Sequence, residues 1–178
     1  MALASRSDGV RRPASADAEE FEQLYVAHVH SLTIQLFAYT GDLSVAEELV
    51  QEAFCRALAR WRKLSAYDDP VAWVRRVAWN LARTRWRRLR TAADFLRLQR
   101  QEPVEGPSPD RVALAAALAH LPAAQRRAVI LHYLADLPIA RIAEEERVAL
   151  GTVKAWLHRG RAALAVQLRE SGMEAHDG

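Results

Sequence analysis

Three prolines and one glycine fall within residues 101–110, QEPVEGPSPD, and no single helix can run through such a stretch. It divides a chain of 178 residues into a longer and a shorter half. Both halves are rich in Ala, Leu, Arg and Glu, which lose little side-chain freedom in a helix, and the whole chain has only seven glycines. The expectation is an all-α protein. It would hold two small helical domains, 19–100 and 111–170, joined by a Pro-rich linker at 101–110. Residues 1–18 and 171–178 read as tails.

Within the first half, Phe21, Leu24, Tyr25, His28, Leu32 and Leu36 recur at helical spacing and predict a helix ending near Tyr39. Thr40-Gly41-Asp42 breaks it. Ser44 with Glu47 has the pattern of a capping box for a second helix. The apolar side of that helix runs through Ala46, Leu49, Val50, Ala53, Phe54, Ala57, Leu58 and Trp61, and Cys55 reads as core. Residues 63–69 read as a loop, and Asp69-Pro70 as the cap and first turn of a third helix. In the second half, helices are expected at about 111–120, 122–134, 138–146 and 149–169, with Asp110 able to cap the first.

Charge is unevenly spread. Between Arg12 and Arg56 there is no Lys or Arg, while Asp17, Glu19, Glu20, Glu22, Asp42, Glu47, Glu48 and Glu52 all fall there. From Arg75 to Arg90 there are seven arginines and no acid. Seven unpaired arginines would repel one another without an anion nearby, so two partners are implied, one basic and one polyanionic. At 100° per residue, Trp73, Arg76, Asn80, Arg83 and Arg87 share a face roughly 80° wide, away from the apolar side of Val74, Val77, Ala78 and Leu81. Trp79 and Trp86 lie on a third face. An aromatic ring, an amide and guanidinium groups along one line suit single-stranded nucleic acid: stacking, base-edge reading and phosphate neutralisation.

Residues 139–146, a short break and 151–161 have the spacing of a helix-turn-helix. Ile142, Ala143, Val148, Val153 and Leu157 would pack its two helices together. The second helix would then present Thr152, Lys154, Ala155, Trp156, His158, Arg159 and Arg161 to a major groove.

Cys55 is the only cysteine, so the chain can form no internal disulfide and no multi-cysteine metal site. No P-loop, HExxH or dinucleotide fingerprint occurs, and no nucleophile–base pair can be assigned. No catalytic residue, cofactor or metal is expected. Neither a membrane span nor a signal peptide is found, and a cytoplasmic location is expected.

The ordered motifs resemble bacterial RNA polymerase sigma factors of the extracytoplasmic-function (ECF) kind, across about Phe21 to Arg169. Residues 49–54, LVQEAF, look like that family's polymerase-binding motif, and 72–82, AWVRRVAWNLA, like its promoter-melting helix. Leu121-Pro122, Arg126, Leu131, Tyr133, Gly151-Thr152-Val153-Lys154 and Leu157-His158-Arg159 look like its second domain. The resemblance implies that Glu48, Gln51 and Glu52 dock on the clamp coiled coil of the largest subunit of core polymerase. It implies that the loop at about 64–69 and Asn80 capture an unpaired base of the proximal promoter element, supported by Trp73 and Arg76. Lys154, Ala155, His158 and Arg159 would read the distal element as duplex. An anti-sigma factor is a further candidate partner, and catalysis would stay with the polymerase. The turn departs from the family pattern: Glu146 and Arg147 stand where an apolar residue and a glycine are usual, and Ala149 supplies no capping oxygen. A helix-turn-helix regulator acting on duplex DNA without polymerase is the rival reading, but it leaves the acidic helix and the Asn80 face without a purpose.

Overall fold

The computed structural model describes residues 14–89 and 108–170, and every regular element among them is an α-helix. In chain order these are α1 (Ala14–Thr40), α2 (Leu43–Leu58), α3 (Trp61–Leu64), α4 (Pro70–Leu89), α5 (Pro109–Ala119), α6 (Ala123–Tyr133), α7 (Ile139–Glu146) and α8 (Leu150–Glu170). Most of the linker lies outside the described residues.

The first helix reaches further back than its apolar pattern: residues 14–18, read as tail, are helical. Its inner face carries Phe21 and Tyr25, which meet Phe54 edge-on at 6.2 and 4.9 Å, and Phe21 also meets Trp61 at 5.3 Å. Gly41, at φ +75°, takes the left-handed turn after Thr40. The cap of α2 is Asp42 rather than Ser44: its Oδ1 accepts the Val45 amide at 2.9 Å. We expect Asp42→Ala to lower unfolding free energy by about 1 kcal/mol in urea titration, the usual worth of such a cap.

The buried stripe of α2 comprises Val45, Ala46, Leu49, Val50, Ala53, Phe54 and Ala57. That spacing leaves Cys55 on the opposite face beside Gln51 and Glu52, so it is exposed rather than core, and Leu58 is likewise 55% exposed. The loop predicted at 63–69 is preceded and partly replaced by the single turn α3, which buries Trp61 and Leu64. Asp69 caps α4 as expected, its Oδ1 accepting the Ala72 amide at 2.8 Å. In α5, Ser108 holds the cap position, Pro109 follows it and Asp110 sits in the first turn, so Asp110 is not the cap.

At the turn after α7, Arg147 adopts φ 57°, ψ 45°, the left-handed conformation that a glycine would take without strain. The Val148 amide donates to the Ala143 carbonyl and the Arg147 amide to that of Glu144, which closes the helix end. One turn into the long α8, Val153 and Leu157 are buried. Further on, Gly160 lets α8 approach α6, since a Cβ there would come within 2.7 Å of the Val129 side chain.

The sequence leaves open whether the linker keeps the two halves apart or lets them close on each other. In the structure α1 packs α2 and α4 against one side and α5 and α6 against another, and the buried residues of both halves form one continuous cluster.

Candidate nucleic-acid interface

On α4 the apolar side is buried as its periodicity requires, with Val74 and Ala78 almost fully covered and Val77 and Leu81 half-buried. Arg76, Asn80 and Arg83 are exposed along one line and Trp73 is half-buried at its start. The side chain of Arg87 lies outside the described residues. Pro70 starts α4 immediately after its Asp69 cap, which turns the preceding loop back over the first helical turn. Ala66, Tyr67, Asp68 and Asp69 thereby line an open cavity of about 530 Å³ with Trp73 and Arg76. Asn80 is not among the residues lining it; it lies on the same face of the helix, further along.

A second cavity of about 490 Å³ lies across Tyr67 and Trp73, and Arg60, Arg62 and Lys63 line it. The Arg60 guanidinium stands 5.9 Å from the centre of the Trp73 ring. The basic cluster was missed because residues 60–63 were read as a helix end and a loop; an aromatic inside a run of three cations was the available signal. Two cavities sharing an aromatic wall, one lined by cations, can hold a base on either side of Trp73 with phosphate on the arginines.

The arginine run is not wholly unpaired. Arg75 is buried and its Nη2 donates to Glu145 Oε1 at 2.8 Å, while Arg85 lies 3.3 Å from Glu48 on the surface. Trp79 and Trp86 face the C-terminal half. Arg127 lies 5.1 Å from the Trp79 ring centre and Arg126 lies 4.5 Å from that of Trp86. Burial pushes the Tyr39 phenol above its ordinary value, against the pull of Arg126, Arg127 and Arg83. Burial likewise lowers Arg127, which the Glu146 carboxylate partly offsets.

The acidic face of α2 presents Glu48, Gln51 and Glu52 to solvent. Glu52 also holds Arg56 at 2.7 Å, one turn along the same helix. On α8, Lys154, His158 and Arg159 are exposed and adjacent by helical spacing, with Thr152, Ala155 and Trp156 half-buried beside them. Trp156 packs partly on the core, and Arg161 borders an apolar groove of about 330 Å³ with Leu114, Tyr133 and Leu168. Trp156 is therefore less free to meet a groove of DNA than Arg161, which is exposed. No helix among the described residues is long and apolar enough to cross a membrane.

An exposed acidic helix, an aromatic cleft lined by cations and a helix-turn-helix, in that order, suit a protein that brings DNA to another macromolecule. Comparison with known proteins agrees: the family model for Sigma-70 region 2 matches residues 24–92, and that for Sigma-70, region 4 matches 111–164. The ECF RNA polymerase sigma factor SigL of Mycobacterium tuberculosis is 31% identical, over 90% of this chain and 95% of its own. SigW of Bacillus subtilis is 25% identical over the same shares. The fold is similar to that of the sigma factor RpoE solved with the anti-sigma factor NepR from Bartonella quintana. That likeness has a TM-score of 0.69 and 24% identity, over 85% of this chain and 98% of that one. A second such structure is CnrH with the cytosolic domain of CnrY, at TM-score 0.64 and 23% identity, over 88% and 92%. The chain belongs to the ECF group of RNA polymerase sigma factors. A stand-alone regulator would need no counterpart of region 2, and that reading is set aside.

Proposed function

We propose that the work of this sigma factor divides among three surfaces. The α2 face with Glu48, Gln51 and Glu52 docks on the basic clamp coiled coil of core polymerase. Trp73, Arg76, Asn80, Arg83 and Arg87 receive the melted strand of the proximal promoter element, and Arg60, Arg62 and Lys63 extend that track. The face of α8 built on Lys154, Ala155, His158 and Arg159, flanked by Thr152, Trp156 and Arg161, reads the distal element as duplex. The protein performs no covalent chemistry, which stays with the polymerase, and it works in the cytoplasm. Because the RpoE structure holds an anti-sigma factor, we infer a partner of that kind here too.

One observation carries the strand assignment. The loop at 66–69 and the start of α4 line an open cavity walled by Trp73 and Arg76, and the exposed cations continue from it. An unstacked base needs a surface to replace its lost stacking, and its phosphates need guanidinium groups at the rim. Duplex DNA would use the arginines and leave the aromatic idle.

Purified protein should convert core polymerase into a form that initiates specifically from a genomic promoter library. Asn80→Ala should then slow open-complex formation about tenfold, the worth of one good base-edge contact, with affinity for core polymerase unchanged. Permanganate reactivity of unpaired thymines reads the melting step. Unaltered melting would remove Asn80 from the strand site.

A further inference from the structure

Most arginines near the start of α4 are matched by an acid. Arg56, Arg75, Arg85, Arg127 and Arg141 each hold a carboxylate. Arg60, Arg62 and Lys63 hold none among the described residues, and all three are exposed. They line the cavity of about 490 Å³ that Tyr67 and Trp73 also border, a volume within the range of ligand sites. Cations just beyond α2 would suit its negative pole wherever they pointed. Arg60 instead sets its guanidinium 5.9 Å from the centre of the Trp73 ring, at the cavity itself.

The two cavities beside Trp73 differ in what their side chains offer. In the first, Asp68 and Asp69 place carboxylates, which only accept hydrogen bonds, beside Arg76 and Arg141. No acidic residue lines the second, where Arg60, Arg62 and Lys63 can only donate. Trp61, also at the second cavity, is 6% exposed, and its Nε1 donor makes no hydrogen bond among the described residues. A wall of donors selects among bases. Guanine presents O6 and N7 as acceptors and thymine presents O4, whereas adenine and cytosine each carry an amino donor on the same edge.

We propose that the cavity of Arg60, Arg62 and Lys63 is a second base site, selective for an unstacked guanine or thymine of the melted strand, with the Trp73 ring between it and the first. This rests on reading the first cavity as the strand site. A phosphate alone would satisfy the cations but leave the Tyr67 and Trp73 rings idle, and a stacked base uses both. Phosphate contacts also carry no sequence information, whereas a donor-only wall does. Specificity for the proximal element is thereby set partly outside α4. The single turn α3, anchored by its buried Trp61 and Leu64, holds Arg62 and Lys63 at the cavity.

The test uses the holoenzyme on a promoter drawn from the genomic library. Each strand of the melted segment carries, position by position, each of the four bases or an abasic residue. Fluorescence anisotropy reads the affinity of every complex. At one position guanine or thymine should bind about tenfold more tightly than adenine, cytosine or an abasic residue, the discrimination of one good base contact. Arg62→Ala combined with Lys63→Ala should bring that ratio below about twofold, because what remains is backbone contact without sequence information. Preferences at the other positions should be unchanged. Both side chains are exposed, so the double variant keeps its fold. It loses affinity for every sequence through its missing charges, and the ratio between bases is therefore the readout.

A uniform loss of affinity with the ratio intact would reduce the cluster to a phosphate contact and overturn the base site. The absence of any position favouring guanine and thymine, while other positions discriminate, would overturn it as well and leave the first cavity standing. If no melted position responds to its base and Asn80→Ala leaves permanganate reactivity unaltered, the strand site itself is misplaced and the second cavity falls with it.

Discussion

Arg126→Met should cost this protein about 4 kcal/mol of unfolding free energy, since three carbonyls, those of Tyr39 and Leu121 in buried bonds and that of Ala119 in a part-buried one, lose their donor and each buried loss is worth about 1–3 kcal/mol. The Arg126 guanidinium donates from Nη1 to the Tyr39 carbonyl at 2.9 Å, and from Nη2 to those of Ala119 and Leu121 at 3.1 and 3.3 Å. Tyr39 lies in the last turn of α1, and Ala119 ends α5. Helix ends of this kind carry unpaired carbonyls and a partial negative charge, so one cation joins two of them. The rings of Tyr39 and Trp86 flank it at 5.2 and 4.5 Å. Arg126→Lys keeps the charge but loses the planar fork, and should recover less than half of the loss. Equilibrium urea unfolding of the full chain measures both. A loss under about 1 kcal/mol for Arg126→Met would mean that these carbonyls are already hydrated in solution.

Arg126 marks where reading the sequence stopped short. The residue stood out as part of a family-like pattern, but nothing in its neighbours says that one of its partners, the Tyr39 carbonyl, lies on α1, 87 positions away in the chain. Local signals did carry the elements. The Asp69-Pro70 start of α4 and the Pro122 and Pro138 starts of α6 and α7 follow from side chains within a few residues, whereas nothing in the side chain of Arg147 signals its left-handed conformation. Cys55 was misplaced because an apolar neighbourhood was taken for an apolar face; the angular position of the residue, beside Gln51 and Glu52, decides instead.

The same limit governs the candidate site. The face holding Trp73, Arg76, Asn80 and Arg83 follows from the helical period alone. The role of Trp79 and Trp86 does not, because their third face is covered by arginines from the other half, as is shown by the contacts with Arg127 and Arg126. Arg75 was counted among free cations for the same reason: Glu145, its partner, is 70 residues distant. Periodicity reveals which face is apolar. It does not reveal when a charged face is buried by a matching charge from elsewhere, since in sequence such a pair looks like two solvated residues.

Reversing both Glu48 and Glu52 to Lys should weaken binding to core polymerase about 100-fold or more, because like charges brought together at an interface cost several kcal/mol. Both carboxylates are on the outer face of α2, with 64% and 51% of their side chains exposed. Their present partners are Arg85 at 3.3 Å and Arg56 at 2.7 Å, surface pairs whose loss costs the fold less than about 1 kcal/mol each. The reversal therefore acts on docking far more than on folding, and helical circular dichroism should be unchanged. On the docking proposed for α2, those arginines would compete with the polymerase for the same carboxylates. Arg56→Ala with Arg85→Ala should accordingly tighten binding severalfold, most clearly at low salt where exposed charges are least screened. Competition fluorescence against a labelled sigma factor reads both pairs of variants. An affinity left intact by Glu48→Lys with Glu52→Lys would place the docking face elsewhere on the molecule. Opposite signs for the two double variants would locate it on α2, because simple loss of structure moves both the same way.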